Sequence, residues 1–465
     1  MALALRSSEP PLLRQTVSFG MPLVIAMALG ALFNLVDLWI VAQMDDPQIA
    51  VAAVTVGSLV NSIPPIIFNG IASAMLAIIA RYHGLGSTRK AGIAAGQGLT
   101  LTIVMGILFG VPPWIFAHEI CEAMGAKGAV LDPAIDYLAI MSAGTITMFL
   151  LLHVTSVLRA VGNSLVPLIL LGGSNLLNII LDYWFIFGGW GLEPMGVAGA
   201  AWATVLARGL FAAAGLALLY RGFLGIKLRR WIWRSRIMVQ LLAIGVPGCM
   251  QWLVRMVSYM YILGFVATAA PLAGDSVTDA QAAFGVGLRL DSLVLFSGCG
   301  WGAAAATLVG QNLGRGRKDR ALRASWIALG LNMVMMLIFA GAFVLFADEL
   351  LATMGFDMGE NASAEAVLGI GRTYLYVASA GYVFLAVGFT LSQALAGAGA
   401  TKFPLLIELV AYGVVGYPLM EYLASRADVW GLRGLWLGAV ALHLAVAVAY
   451  IVWFRLGIWA RKEIR

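Results

Sequence analysis

The sequence predicts an all-α membrane protein with twelve transmembrane helices in two parallel six-helix repeats, or lobes, related by a pseudo-twofold axis along the membrane normal. Three observations carry that prediction. Of the 465 residues, 61% are hydrophobic and 11% charged, against about 45–50% and about 25% in soluble domains. The apolar residues gather into twelve stretches, each long enough to cross the ~30 Å hydrocarbon layer of a bilayer. The loop motifs of the first half return in the second. So much apolar surface exceeds what one water-soluble core can bury, which excludes a soluble enzyme and a disordered chain. Cys121, Cys249 and Cys299 have no C-x-x-C spacing, so neither a disulfide framework nor a zinc site is expected.

The stretches lie near 17–42, 52–80, 92–117, 134–158, 166–187, 196–219, 238–264, 282–311, 324–347, 368–395, 404–424 and 435–456. A span needs about 20 residues, so the longer stretches imply tilt and not additional spans. The first is too long for a signal-peptide core and carries Asp37, so it reads as a span. Pro22 and Pro247 fall inside spans and predict that the helix bends or loosens there, either as a fixed kink or as a functional hinge.

With the N-terminus inside, the cytoplasmic segments hold 22 Lys and Arg, among them Arg6, Arg159, the 221–236 and 315–323 runs and the C-terminal tail. The opposite loops hold only Lys127, Arg372, Arg426 and Arg433. The positive-inside rule therefore predicts both termini in the cytoplasm of a multi-pass plasma (inner) membrane protein. The net charge of +6 divides into +19 on the inside, −11 outside and −2 within the spans. The run Arg229-Arg230-Trp231-Ile232-Trp233-Arg234 reads as a lipid-contacting linker with interfacial tryptophans, not as a nucleic-acid site.

Gly70 and the run Gly84-Leu85-Gly86-Ser87 recur 230 residues later as Gly300 and Gly314-Arg315-Gly316-Arg317. Leu158-Arg159-Ala160-Val161-Gly162 with Pro167 recurs 237 residues later as Leu395-Ala396-Gly397-Ala398-Gly399 with Pro404, and Gly20-Met21-Pro22 matches Gly245-Val246-Pro247. Six spans repeated once in one orientation divide the chain into an N-lobe at 1–220, a cytoplasmic linker at 221–237 and a C-lobe at 238–465. Parallel repeats of this kind are the plan of a rocking transporter with its site between the halves.

Ionisable residues at membrane depth are costly and point to function. They are Asp37, Asp182, Arg208, Arg255, Arg289, Asp291, Glu408 and Glu421. Asn34 shares a helical face with Asp37, and Asn175, Asn178 and Asp182 form one stripe in the fifth span, with both aspartates in the outer third. Two carboxylates together in low dielectric take up either a proton or a hard cation such as sodium. Packing alone would bond them to helix amides instead. In the seventh span Gln251, Arg255 and Ser258 form a polar stripe, with Arg255 expected to pair with Asp291 as a structural bridge or as a substrate contact. Glu408 and Glu421 are expected to snorkel to the interfaces, and His153 and His443 to pack.

The chain resembles the multidrug and toxic compound extrusion (MATE) family over its whole length. The resemblance rests on Gly310-Gln311-Asn312-Leu313-Gly314-Arg315-Gly316-Arg317, on Gly397-Ala398-Gly399-Ala400-Thr401 before Pro404, on Asn178-Ile179-Ile180-Leu181-Asp182, and on Gly199-Ala200-Ala201-Trp202-Ala203-Thr204. It implies export of organic, often cationic compounds in exchange for protons or sodium, with a cation site at Asp37, Asn178, Asp182 and Thr204. It also matches Pro22 to a proline at which some members bend. Arg255 stands where norfloxacin-type members carry a glutamate, which places the chain nearer the DNA-damage-inducible branch.

The expected function is thus secondary antiport of a small organic substrate, with no cofactor beyond the coupling H+ or Na+, no nucleic-acid or protein partner, and a monomeric state. Two alternatives stay open. A flippase for a lipid-linked sugar or other amphipath is kept by Arg255 and Arg289. An integral-membrane enzyme would need a nucleophile, metal cluster or acidic motif at the interface, and the sequence offers none.

Overall fold

The computed structural model describes residues 11–189, 191–228, 235–353 and 362–461. Arg6, the Arg229 to Arg234 run and the end of the basic tail lie outside the described residues, as does the side chain of Asn34. Among the described residues there is no strand beyond one isolated bridge between Gly189 and Leu192. The first lobe comprises α1 (Leu12–Val41), α2 (Pro47–Gly84), α3 (Thr88–Ile115), the short α4 (Ala117–Ala123), α5 (Leu131–Ala143), α6 (Thr145–Ala160), α7 (Leu165–Phe187) and α8 (Gly196–Tyr220). The second comprises α9 (Ser235–Ala273), α10 (Val277–Gly314), α11 (Lys318–Leu345), the short α12 (Ala347–Thr353), α13 (Ala362–Gly397), α14 (Lys402–Glu408), α15 (Tyr417–Ser425), the short α16 (Ala427–Trp430) and α17 (Arg433–Leu456). Among the described residues, eleven helical segments are long and apolar enough to cross a membrane alone, and α5 with α6 makes the twelfth. Side chains such as Leu176, Leu210, Leu337 and Ile338 are exposed on the outer surfaces of the spans, as expected where lipid replaces water as the solvent.

Irregularity falls elsewhere than the prolines suggest. α1 continues as helix through Pro22, and α9 through Pro247, so neither proline ends its span. The fourth span instead bends by 41° at Gly144, where a Cβ would lie 2.2 Å from Val205 Cγ2 of α8. The close approach of α8 explains a break that no proline marks. Between α14 and α15 the chain winds as a π-helix, Leu409–Gly416. Such a turn frees backbone groups, and the Tyr412 carbonyl accepts a hydrogen bond from the Tyr261 hydroxyl of α9 at 3.0 Å.

The repeated glycines are where the lobes meet. α1 packs on α10, and α2 on α9 and α10. A Cβ on Gly70 would lie 2.2 Å from Cys249 N, and one on its counterpart Gly300 2.6 Å from Val24 N; one on Gly84 would lie 2.2 Å from Gln311 O, and one on its counterpart Gly314 2.3 Å from Arg81 O. These contacts are reciprocal: each N-lobe glycine meets the C-lobe residue whose counterpart meets the matching C-lobe glycine. That is the pseudo-twofold in atomic terms. The second glycine of each loop has another task, because Gly86 and Gly316 adopt φ of 74° and 73°. In that left-handed turn, which favours glycine, Ser87 N reaches back to Tyr82 O at 2.9 Å and Arg317 N to Asn312 O at 2.8 Å, ending α2 and α10.

All these contacts lie in the half of the bundle nearer the basic loops, called here the basic end. Hydrogen bonds join the lobes there, among them Gln311 Nε2 to Ala160 O at 2.9 Å, Cys249 Sγ to Ile67 O at 2.9 Å and Arg320 Nη2 to Gln15 Oε1 at 3.1 Å. Gly84→Val or Gly314→Val should force the backbones apart, costing about 1–3 kcal/mol as overpacking does, lowering the melting temperature and speeding maleimide labelling of Cys249. Gly330→Val, whose Cβ meets nothing within 4 Å, should leave both unchanged.

Candidate functional site

Above the seal, the lobes enclose a cavity of about 1090 Å³, lined by α1, α2, α5 to α10, α13, the π-helix Leu409–Gly416 and α17. It runs from Tyr137, Phe284 and Trp436 toward the acidic end down to Arg159 and Ala306 near the basic end. Its walls are mainly apolar, and the charged groups that interrupt them fall into distinct sets.

The N-lobe set is built on α7. Ser174, Asn178 and Asp182 are buried at one-turn spacing on the face turned inward, and Asn175 also lines the cavity. Asn178 Nδ2 donates to Asp182 Oδ2 at 3.0 Å and to Thr204 Oγ1 at 3.4 Å, while Thr204 donates to Ala200 O at 3.0 Å. Thr204 thus orients Asn178, and Asn178 orients Asp182. Asp37 of α1 comes within hydrogen-bonding reach of Asp182, with Arg208 of α8 in electrostatic reach. Asp37 Oδ1 and Asp182 Oδ1 are both buried without a hydrogen-bond donor. Two adjoining carboxyl groups with orphaned oxygens suit one small positive occupant, a shared proton or a partly dehydrated cation.

The C-lobe set is arranged differently from expectation. Arg255 does not pair with Asp291. Its Nε donates to Glu408 Oε2 at 2.9 Å and its Nη2 to Glu408 Oε1, with a further bond from Nη2 to Ser392 Oγ at 3.2 Å. Gln251 Nε2 donates to Glu408 Oε1 at 2.7 Å, and the Tyr450 hydroxyl donates to the same oxygen at 2.9 Å. Glu408, expected to snorkel, is 0% exposed. Trp252 and Phe389 lie 5.5 and 5.1 Å from the Arg255 guanidinium carbon, close enough for cation–π contact.

Asp291 instead accepts from Tyr374 at 2.5 Å and Tyr382 at 2.6 Å, both on α13, and Arg289 is exposed outside the cavity. Side-chain direction explains the exchange of partners. Helical side chains slope toward the helix N-terminus. α9 starts at the basic end, so Arg255 leans toward Glu408; α10 starts at the acidic end, so Asp291 leans away from Arg255. His153 is buried with Nδ1 3.3 Å from Thr102 Oγ1, and His443 lines the cavity.

Arg159 escaped the sequence reading, which counted it among the basic loops. It lies on α6 and lines the floor of the cavity. Ser156, one turn earlier and bonded to Arg159 Nη2 at 3.0 Å, is the signal that continued the helix to this residue. The tyrosines around Asp291 and Glu408 were also missed, since long-range partners leave no trace in local spacing.

Two six-span lobes meeting at one end and parting around a charged cavity define a two-lobed membrane transporter of the parallel-repeat type. The sequence profile of the MatE family matches residues 22–184 and 248–420, and the chain belongs to that family. It is 24% identical over 470 residues to the probable multidrug resistance protein NorM of Thermotoga maritima, covering 99% of this chain and 96% of the relative. It is 27% identical over 469 residues to the multidrug resistance protein PmpM of Pseudomonas aeruginosa, covering 97% and 93%.

The fold matches a MOP superfamily transporter from Pyrococcus furiosus at a TM-score of 0.88 with 22% identity, over 98% of both chains. It also matches an outward-facing multidrug resistance MATE family transporter at a TM-score of 0.85 with 21% identity, over 96% of both.

Removing one partner of a buried, hydrogen-bonded ion pair costs about 3–5 kcal/mol, whereas replacing both costs little. Glu408→Gln should therefore lower the melting temperature in detergent markedly, and Arg255→Met with Glu408→Met should recover most of the loss.

Proposed function

We propose that the protein is a secondary active antiporter that exports small organic compounds, cationic amphipaths among them, in exchange for H+ or Na+. The observation that carries this reading is the pair of orphaned carboxyl oxygens on Asp37 and Asp182, buried beside a cavity large enough for an organic molecule. The multidrug resistance names of the relatives support the substrate class. By the charge bias of the loops the basic end faces the cytoplasm, so both termini are inside, the protein sits as a monomer in the plasma membrane, and this state opens outward.

Export follows from rocking of the lobes about the glycine contacts. A ligand that binds both states equally shifts nothing, so the cation must favour one of them. Asp37 and Asp182 hold the cation, Asn178 and Thr204 fix the geometry of Asp182, and Pro22, whose lost N–H leaves the preceding turn of α1 without one hydrogen bond, gives that helix freedom to carry Asp37. Coupling resides in the N-lobe, as in the DNA-damage-inducible branch, because the C-lobe carboxylates already hold their partners: Glu408 with Arg255, Asp291 with two tyrosines. The two arginines that kept the flippase reading open no longer argue for it, since Arg255 is neutralised and Arg289 lies outside the cavity.

The test uses the purified protein in vesicles, with efflux of a fluorescent organic cation driven by an imposed proton or sodium gradient. Wild type should respond to one of the gradients, and Asp37→Asn should reduce that response at least tenfold, on the order expected for loss of a coupling charge worth more than about 1.4 kcal/mol of differential affinity. Undiminished ion-driven efflux by Asp37→Asn would overturn the assignment, and lipid scrambling without gradient-driven efflux would favour a flippase.

A further inference from the structure

The cavity floor carries a positive charge that the antiport mechanism does not use. Arg159 ends its helix at the bottom of the cavity, and a guanidinium has five N–H donors. Among the described residues it has one hydrogen-bond partner, Ser156 Oγ, and no ion pair, while its Nε is buried with no acceptor. The other cavity arginines differ: Arg255 is locked to Glu408, and Arg208 lies in the field of Asp37. The carboxylates Asp37, Asp182 and Asp291 line the half nearer the acidic end, leaving the floor positive.

The neighbourhood of Arg159 also joins the lobes. The next residue, Ala160, gives its carbonyl to Gln311 of the opposite lobe, and Cys299 of α10 lies in electrostatic reach of both Arg159 and Arg255. A group held by Arg159 therefore sits between α6 and α10, directly above the seal that must open for the lobes to rock. An unpaired buried guanidinium is costly, and the group that best relieves it is a planar oxyanion, which matches its fork of donors.

We propose that Arg159 is an anion-binding point in the substrate cavity, taking the carboxylate or other acidic oxygen group of an amphiphile whose apolar body lies against the walls above. The substrates then include acidic and zwitterionic amphiphiles, with any cationic part nearer Asp291. This rests on the cavity being the substrate site, but not on which ion drives transport.

The test is equilibrium binding to the full chain in phosphatidylcholine nanodiscs, read by fluorescence anisotropy with no ion gradient. Rhodamine 110, which carries a free carboxylate, is compared with rhodamine 123, its methyl ester on the same ring system. Arg159→Ala should weaken rhodamine 110 by about tenfold or more, as loss of a charge-assisted hydrogen bond does, and change rhodamine 123 by less than about twofold. Arg159→Lys should restore part of the difference.

Equal weakening of both dyes, no change in either, or failure of the wild type to bind rhodamine 110 would overturn the proposal. Where the variants do not fold, benzoate and benzamide are titrated against rhodamine 110 on the wild type. Displacement at lower benzoate concentration supports the site, and equal displacement overturns it. Adding phosphatidylglycerol to the discs separates the sources of the acidic group: displacement of rhodamine 110 through Arg159 identifies a lipid headgroup, and none identifies the free amphiphile. Ion-driven efflux can fail while this binding difference stands, so the two readings are tested separately.

Discussion

The structure depends on a close approach of backbones between two lobes that share no covalent link except one connecting segment. At Gly70, Gly84, Gly300 and Gly314 a Cβ would meet backbone atoms of the other lobe at 2.2 to 2.6 Å. In lipid, helices gain little from apolar burial against one another, and small residues let backbones pack tightly enough for dispersion and hydrogen bonds to act instead. The seal is therefore strong in contact but narrow in extent. Because the contacts occupy only the basic half, the lobes part above them, and the cavity is the space that results.

The two lobes share a backbone plan and differ in charge. In the N-lobe, Asp37 and Asp182 retain oxygens with no donor, so their energy depends on what arrives. In the C-lobe, Glu408 accepts from Arg255, Gln251 and Tyr450, and Asp291 from two tyrosines. A carboxylate satisfied in that way is a fixed structural charge, since displacing its donors would leave several buried polar groups unpaired. The repeat gives both lobes the same scaffold, and the donors around the C-lobe carboxylates satisfy them where the N-lobe pair keeps oxygens without a donor. The π-helix after Glu408 belongs to the same arrangement, with Tyr261 of α9 capping a carbonyl that the wide turn releases.

Much of the fold was legible along the chain because lipid imposes a local rule: each crossing must be apolar for about 20 residues. The twelve stretches correspond to the observed spans, the fourth as a bent pair. Breaks were less legible. Pro22 and Pro247 lie in continuous helix, whereas Gly144 bends under the neighbouring Val205, a residue 61 positions away. The face of α7 bearing Asn178 and Asp182 followed from helical periodicity alone. The partner of Arg255 did not, because depth along a helix does not say which neighbouring helix supplies the acceptor.

The sequence by itself determined the solvent, the number of spans, the repeat and the small set of charges that had to be buried, since these follow from composition, length and period. Only the tertiary structure decided how those charges are shared. Whether a buried charge is spent on structure or left open to a ligand depends on hydrogen-bonding partners contributed by other helices. For Arg255 those come from α13 and α14, for Asp291 from α13, and for Arg159 none comes from beyond its own turn among the described residues. Such partners are separated by up to 153 residues along the chain, and nothing in local spacing brings them together.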